Sequence, residues 1–95
     1  MAYNANELAA RVKVLKARIN GVKIRQDGNS IFSTSGNAIW KIRPSVKNPG
    51  RFWCDCPASG FKHNKWCKHL EKAAREGMIP FAPDEIRGEF AFLNV

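Results

Sequence analysis

The stretch Phe52-Trp53-Cys54-Asp55-Cys56-Pro57-Ala58-Ser59-Gly60-Phe61-Lys62-His63-Asn64-Lys65-Trp66-Cys67-Lys68-His69-Leu70 decides how this chain folds. It carries all three cysteines of the sequence, as Cys54-x-Cys56 and then, after ten intervening residues, Cys67-x-His69. Three thiolates and one imidazole make a complete tetrahedral ligand set for one structural zinc ion. In extended backbone, residues i and i+2 point to one face, so Cys54 and Cys56 reach a common metal from a strand. In a helix, i and i+2 lie on nearly opposite sides, so Cys67 must stand just before a helix and His69 in its first turn. A helix N-terminus there also suits the charge, because three thiolates and a zinc ion sum to about −1.

Other chemistries fit these residues poorly. A nucleophilic Cys/His dyad needs an open, activated thiolate, and full coordination uses all three cysteines. A catalytic zinc keeps an open position, and four good ligands leave none. No glutamate stands in a His-Glu type motif to act as general base. The Cys54-x-Cys56 spacing is one residue short of a redox Cys-x-x-Cys. The expectation is therefore a protein that is not an enzyme.

The rest of the 95 residues frames this segment. A chain of this size suits one domain, 1–95, and a small domain of this kind gains from a staple such as a metal. Hydrophobic residues are 44% and charged residues 25% of the chain, which argues against wholesale disorder. An odd cysteine count, with no apolar run behind the first basic residues, argues against a secreted disulfide framework. An intracellular setting, cytoplasmic or nuclear/nucleoid, and no membrane association are expected. Lys and Arg total 16 against 8 acids, a net charge of +8, so an anionic partner is expected, nucleic acid first.

Residues 4–20 read as a helix. Asn4 and Glu7 resemble a capping box, and Ala5, Leu8, Val12, Leu15 and Ile19 form an apolar stripe. Asn20-Gly21 is a good helix stop, because Gly21 takes the left-handed conformation at little cost. From Val22 to Arg43 the period becomes two. Val22 and Ile24 alternate with Lys23 and Arg25, and Trp40 and Ile42 alternate with Lys41 and Arg43. Turn signals at Asp27-Gly28-Asn29, Ser35-Gly36-Asn37 and Asn48-Pro49-Gly50 divide an antiparallel meander of three or four strands, whose apolar face should pack on a helix and whose other face should carry Lys23, Arg25, Lys41 and Arg43. Residues 68–76 read as a second helix with Leu70, Ala73 and Ala74 on its apolar side and a Glu71–Arg75 i,i+4 pair. In the tail, residues 77–95, Phe90 and Phe92 alternate with smaller or polar residues, which suits an added strand or a loosely docked end. The fold class is α+β: an N-terminal helix, a β-meander over 22–43, and a zinc-stapled module over 38–76.

Cys54-Asp55-Cys56-Pro57 and Cys67-Lys68-His69-Leu70, with Trp40 and Ile42 on the strand before and Phe61 after the first pair, closely resemble the SWIM zinc-finger family. The resemblance covers roughly residues 38–76. It implies a ββα zinc module with Cys54, Cys56, Cys67 and His69 as ligands; His63 is an alternative whose spacing fits the family less well, and it reads better as a solvated loop residue. SWIM modules occur in Mutator-type transposases, Swi/Snf-type ATPases, plant transcription factors and partners of recombinase paralogues, where they are thought to contact DNA or proteins. The N-terminal helix, the extra hairpin and the tail lie outside the resemblance, and no ATPase or transposase accompanies the module within these residues.

Candidate phosphate contacts come from the hairpin (Lys41, Arg43, Arg51, with Lys47 beside them) and from the finger loop and second helix (Lys62, Lys65, Lys68, Lys72, Arg75). Trp53, Phe61 and Trp66 suit either base stacking or cover for a small core, the latter the simpler reading. DNA is the favoured ligand class. The rival is a protein-interaction adaptor or inhibitor docking on a nucleic-acid-processing complex through the Leu8/Val12/Leu15/Ile19 stripe or the Phe90–Phe92 tail. The stripe reads more simply as core, and it also fits a homodimer seam.

Overall fold

A computed structural model describes residues 4–57 and 66–94. Helix α1 spans Ala5–Asn20. The Asn4 side chain accepts from the Glu7 backbone N–H at 2.8 Å, and the Glu7 carboxylate reaches back to the Asn4 N–H, so two orphan donors of the first turn are satisfied. The helix ends where expected, by a different route. Gly21 has φ −77° and ψ −8°, right-handed values open to any residue. The chain leaves the helix because Val22 turns inward and is buried, its N–H bonded to the Ile19 carbonyl.

Four strands follow, β1 (Lys23–Asp27), β2 (Ser30–Ser35), β3 (Ala38–Pro44) and β4 (Phe52–Cys54), in an antiparallel sheet of order β1-β2-β3-β4. Two-residue connections join the first three. Gly28 (φ +63°) and Gly36 (φ +62°) supply the positive φ that tight hairpin turns require. Directly paired residues share a face. Ile31 pairs with Ile42, and Ile42 with Cys54; all three point inward. The neighbouring register of Ile24, Ser33 and Trp40 points the same way. The outward face carries Lys23, Thr34 and Ile39 in one row, Arg25, Phe32 and Lys41 in the next, then Arg43 and Trp53.

Helix α2 (Lys68–Arg75) lies under the inward face, and its Leu70, Ala73 and Ala74 complete the core with Ile79 and Ala82. A short helix α3 (Asp84–Arg87) and a 3-10 segment (Gly88–Asn94) close the described chain. The tail is therefore neither a strand nor loose. In a 3-10 turn residues i and i+3 eclipse, which puts Phe90 and Leu93 on one side. Leu93 is buried with Leu15 and Ile19 of α1, and Phe90 packs against both this cluster and the main core. Arg11 of α1 donates to Glu89 at 2.9 Å across the same contact. Among the described residues, no helix is long and apolar enough to cross a membrane.

Candidate metal centre

The inward register that buries Ile31 and Ile42 also aims Cys54 at the N-terminus of α2. Cys56 lies just past the end of β4 and is likewise buried. Cys67 is the N-cap of α2, with extended backbone (φ −127°, ψ 172°) and no side-chain capping bond, so its sulfur is left for another role. His69 lies in the first turn. One donor atom from each of Cys54, Cys56, Cys67 and His69 lies within 4.8 Å of the others, and all four residues are buried.

Two observations test whether these residues fit a metal. The Nδ1 of His69 is 3.6 Å from the Cys67 Sγ. With Zn–S near 2.3 Å and Zn–N near 2.05 Å, a tetrahedral S···N edge is about 3.6 Å. The His69 Nε2 is buried with no hydrogen-bond partner among the described residues; with Nδ1 facing the sulfurs it is the outer ring nitrogen, and it lacks the acceptor that usually orients a metal-bound imidazole. Three buried thiols and a buried imidazole facing one point fit a cation far better than one another.

The electrostatics of the bare cluster agree. The Cys67 thiol donates toward Cys54, which pulls the Cys54 pKa down to about 4 against the opposing effect of burial; His69 and the Cys56 backbone N–H act in the same sense. Cys67 pays the reverse: donating to Cys54 and Cys56, and buried, it is held well above an ordinary thiol. Burial would lower His69, but hydrogen bonding and attraction from Cys54, then Cys56, outweigh it and raise the ring. A lone cluster thus keeps a proton where a divalent ion would sit. A bound zinc would hold all three cysteines as thiolates and tie β4 to α2.

Residues around the ligands hold them in place. The Ser33 hydroxyl is fully buried, 3.9 Å from the Cys54 Sγ and 3.3 Å from the Trp40 carbonyl. The Glu71 carboxylate is also fully buried, two residues past His69. It accepts from the Trp66 Nε1 (2.9 Å), the Arg75 Nε (2.9 Å), and Nε and NH2 of Arg87 (3.1 and 2.9 Å). Arg87 also donates to the Phe90 carbonyl and lies over the Phe81 ring. Trp66 is thus a buried, hydrogen-bonded side chain in the core beside Cys67, with no face left for a base. Reading the sequence found the Glu71–Arg75 pair but missed Ser33, Glu71 as a buried acceptor, and Arg87. A serine within an alternating strand carried no signal; Arg87 beside two prolines and short apolar runs carried little more.

The basic residues separate into two groups. Lys41 and Arg43 stand on the outward sheet face, where Arg43 makes a two-pronged pair with Asp55 (2.9 and 3.0 Å). Lys68, Lys72 and Arg75 are on α2, on the other side of the sheet, and Arg75 is tied to Glu71. Arg51 is half-buried in the turn before β4, and Lys47 is exposed. Lys62, Lys65, Phe61 and His63 lie outside the described residues. Among the described residues, the sheet and helix cations therefore lie on two sides of the core. The chain matches no family model, no curated protein and no solved structure, so the reading of this site rests on its own donors: a buried Cys3His group able to bind one metal ion, consistent with a zinc finger.

Proposed function

We propose that this is a non-catalytic, zinc-stabilised domain of SWIM type that binds nucleic acid, DNA first, through its basic surface. The observation that carries the reading is the charge: +8 over 95 residues. A small metal-stapled fold has no structural need for that surplus, whereas a phosphate backbone does. The SWIM assignment rests on the Cys-x-Cys and Cys-x-His pairs, on the β3–β4–α2 arrangement that brings them together, and on the helix beginning at the second pair. Four protein donors leave no open coordination position, which supports a structural metal over a catalytic one.

The adaptor reading would draw on the α1 stripe and the aromatic tail. Leu15, Ile19 and Leu93 are buried against one another, with Val12 and Phe90 packed beside them, so most of that apolar surface is used within the chain. This favours nucleic acid over a protein partner. Fluorescence anisotropy tests the proposal, with zinc-loaded and chelated protein titrated into labelled single- and double-stranded DNA and RNA at low and near-physiological salt. The expected result is binding that weakens steeply with salt and disappears with chelation. No binding of any of the four probes at low salt would refute it.

A further inference from the structure

The outward face of the sheet is an unusual solvent face. Its helical partner, α2, packs on the other side, so among the described residues no helix covers it. Lys23, Arg25, Lys41 and Arg43 project from it, and between them stand two half-exposed rings, Phe32 of β2 and Trp53 of β4. Each ring is paired with a guanidinium. The Arg25 Cζ is 5.6 Å from the Phe32 ring centroid, and the Arg43 Cζ is 5.8 Å from that of Trp53. Asp55 accepts both prongs of Arg43 from the side and so fixes that guanidinium over the indole. Asp27 and Asp55 are the acids that register and pairing place here, so the face is net positive.

Strand β3 lies between the two rings, which pair with its residues Lys41 and Arg43, so two strand spacings and a two-residue offset set their attachment points about 12 Å apart. That spacing suits two bases splayed from a strand; in a duplex the base faces are already stacked on one another. We propose that the outward sheet face binds single-stranded nucleic acid, with bases stacking at the Phe32–Arg25 and Trp53–Arg43 pairs and phosphates held by Lys23 and Lys41. This rests on the nucleic-acid reading above and adds to it the strand type and the face.

The test uses full-length, zinc-loaded chain and labelled oligothymidylate, oligouridylate and a mixed duplex of equal length. Phe32→Leu/Trp53→Leu is expected to weaken binding of the single strands at least about tenfold, since stacking contributes about 1–3 kcal/mol per base. Lys23→Gln/Lys41→Gln, which leaves both rings in place, is expected to reduce the single-strand salt slope by about 1.4. Lys68→Gln/Lys72→Gln on α2 should change single-strand affinity less than about twofold. Circular dichroism and zinc content report whether each variant folds. Preference for the duplex, or a loss confined to the α2 variant, would overturn the sheet-face proposal while leaving nucleic-acid binding standing. Wild-type protein that binds none of the probes would overturn both. The ratio of thymidylate to uridylate affinity identifies DNA or RNA as the natural source of the strand.

Discussion

Glu71 shows how much one residue can hold in a small core. Its carboxylate has no solvent exposure and is shared by an indole and two guanidinium groups. Removing it leaves Arg87, itself buried, with only a 3.7 Å contact to the exposed Asp84 carboxylate as counter-charge. Breaking a buried ion pair from one side costs about 3–5 kcal/mol, whereas a partly exposed i,i+4 pair contributes under about 1 kcal/mol. Glu71→Ala should therefore destabilise the zinc-loaded protein by about 3 kcal/mol or more in urea unfolding, and Arg75→Ala by less than about 1 kcal/mol. Equal losses would show that Arg87 finds another partner. At this scale the metal ligands were legible, because thiolate and imidazole spacing constrains geometry directly. Glu71 was legible only as half of a surface pair. Its other partner is sixteen residues away and is brought in by α3, which no periodicity announced.

Elements were legible where local signals agreed with tertiary contacts. The Asn4/Glu7 capping box and the two glycine turns are determined within a few residues, and the structure has them. The tail was misread because Phe90 and Phe92 suggest a period of two. What decides its conformation is distant: Leu93 fills the space beside Leu15 and Ile19, and a three-residue turn is what presents Phe90 and Leu93 together. Leu93→Ala should cost about 2–3 kcal/mol, within the range for truncating a buried leucine. Protection of α1 amides in hydrogen exchange should fall with it. Unchanged protection would mean that α1 is held by α2 alone. The end of α1 has the same lesson in miniature, since burial of Val22 rather than the geometry of Gly21 turns the chain.

At the scale of the molecule, the meander and its α+β class were legible from turns and alternation. Alternation also put Lys23, Arg25, Lys41 and Arg43 on the face away from a packed helix, as the register has them; their separation from Lys68, Lys72 and Arg75 was not legible, because it requires knowing that α2 is that helix. The metal's contribution also belongs here. The core cluster includes Cys54, Cys56 and Cys67 themselves, so the ligands are also packing residues. Structural zinc in finger peptides binds with about 10–16 kcal/mol of apparent free energy. Chelation, or Cys67→Ala, should thus melt β4 and α2 and, through the shared core, much of the remaining sheet. Circular dichroism should follow zinc occupancy and recover when the ion is returned to the wild-type chain. An unchanged thermal midpoint after chelation would contradict a structural metal.

An open sheet also has an exposed rim. Strand β1 stands at the end of the order, so among the described residues one side of its backbone has no neighbouring strand, and it runs for five residues. Such a rim is a template for uncontrolled self-association unless the sequence guards it. Lys23 and Arg25 provide that guard: a parallel in-register copy of β1 would set Lys23 against Lys23 and Arg25 against Arg25, and an antiparallel copy centred on Arg25 would still bring the two guanidinium groups together. Residues that would contact a bound strand then also protect solubility. Lys23→Val/Arg25→Val should leave the fold and zinc content intact yet scatter light at concentrations where the wild-type solution stays clear. If the variant remains equally dispersed, the rim is protected by its twist or short length instead.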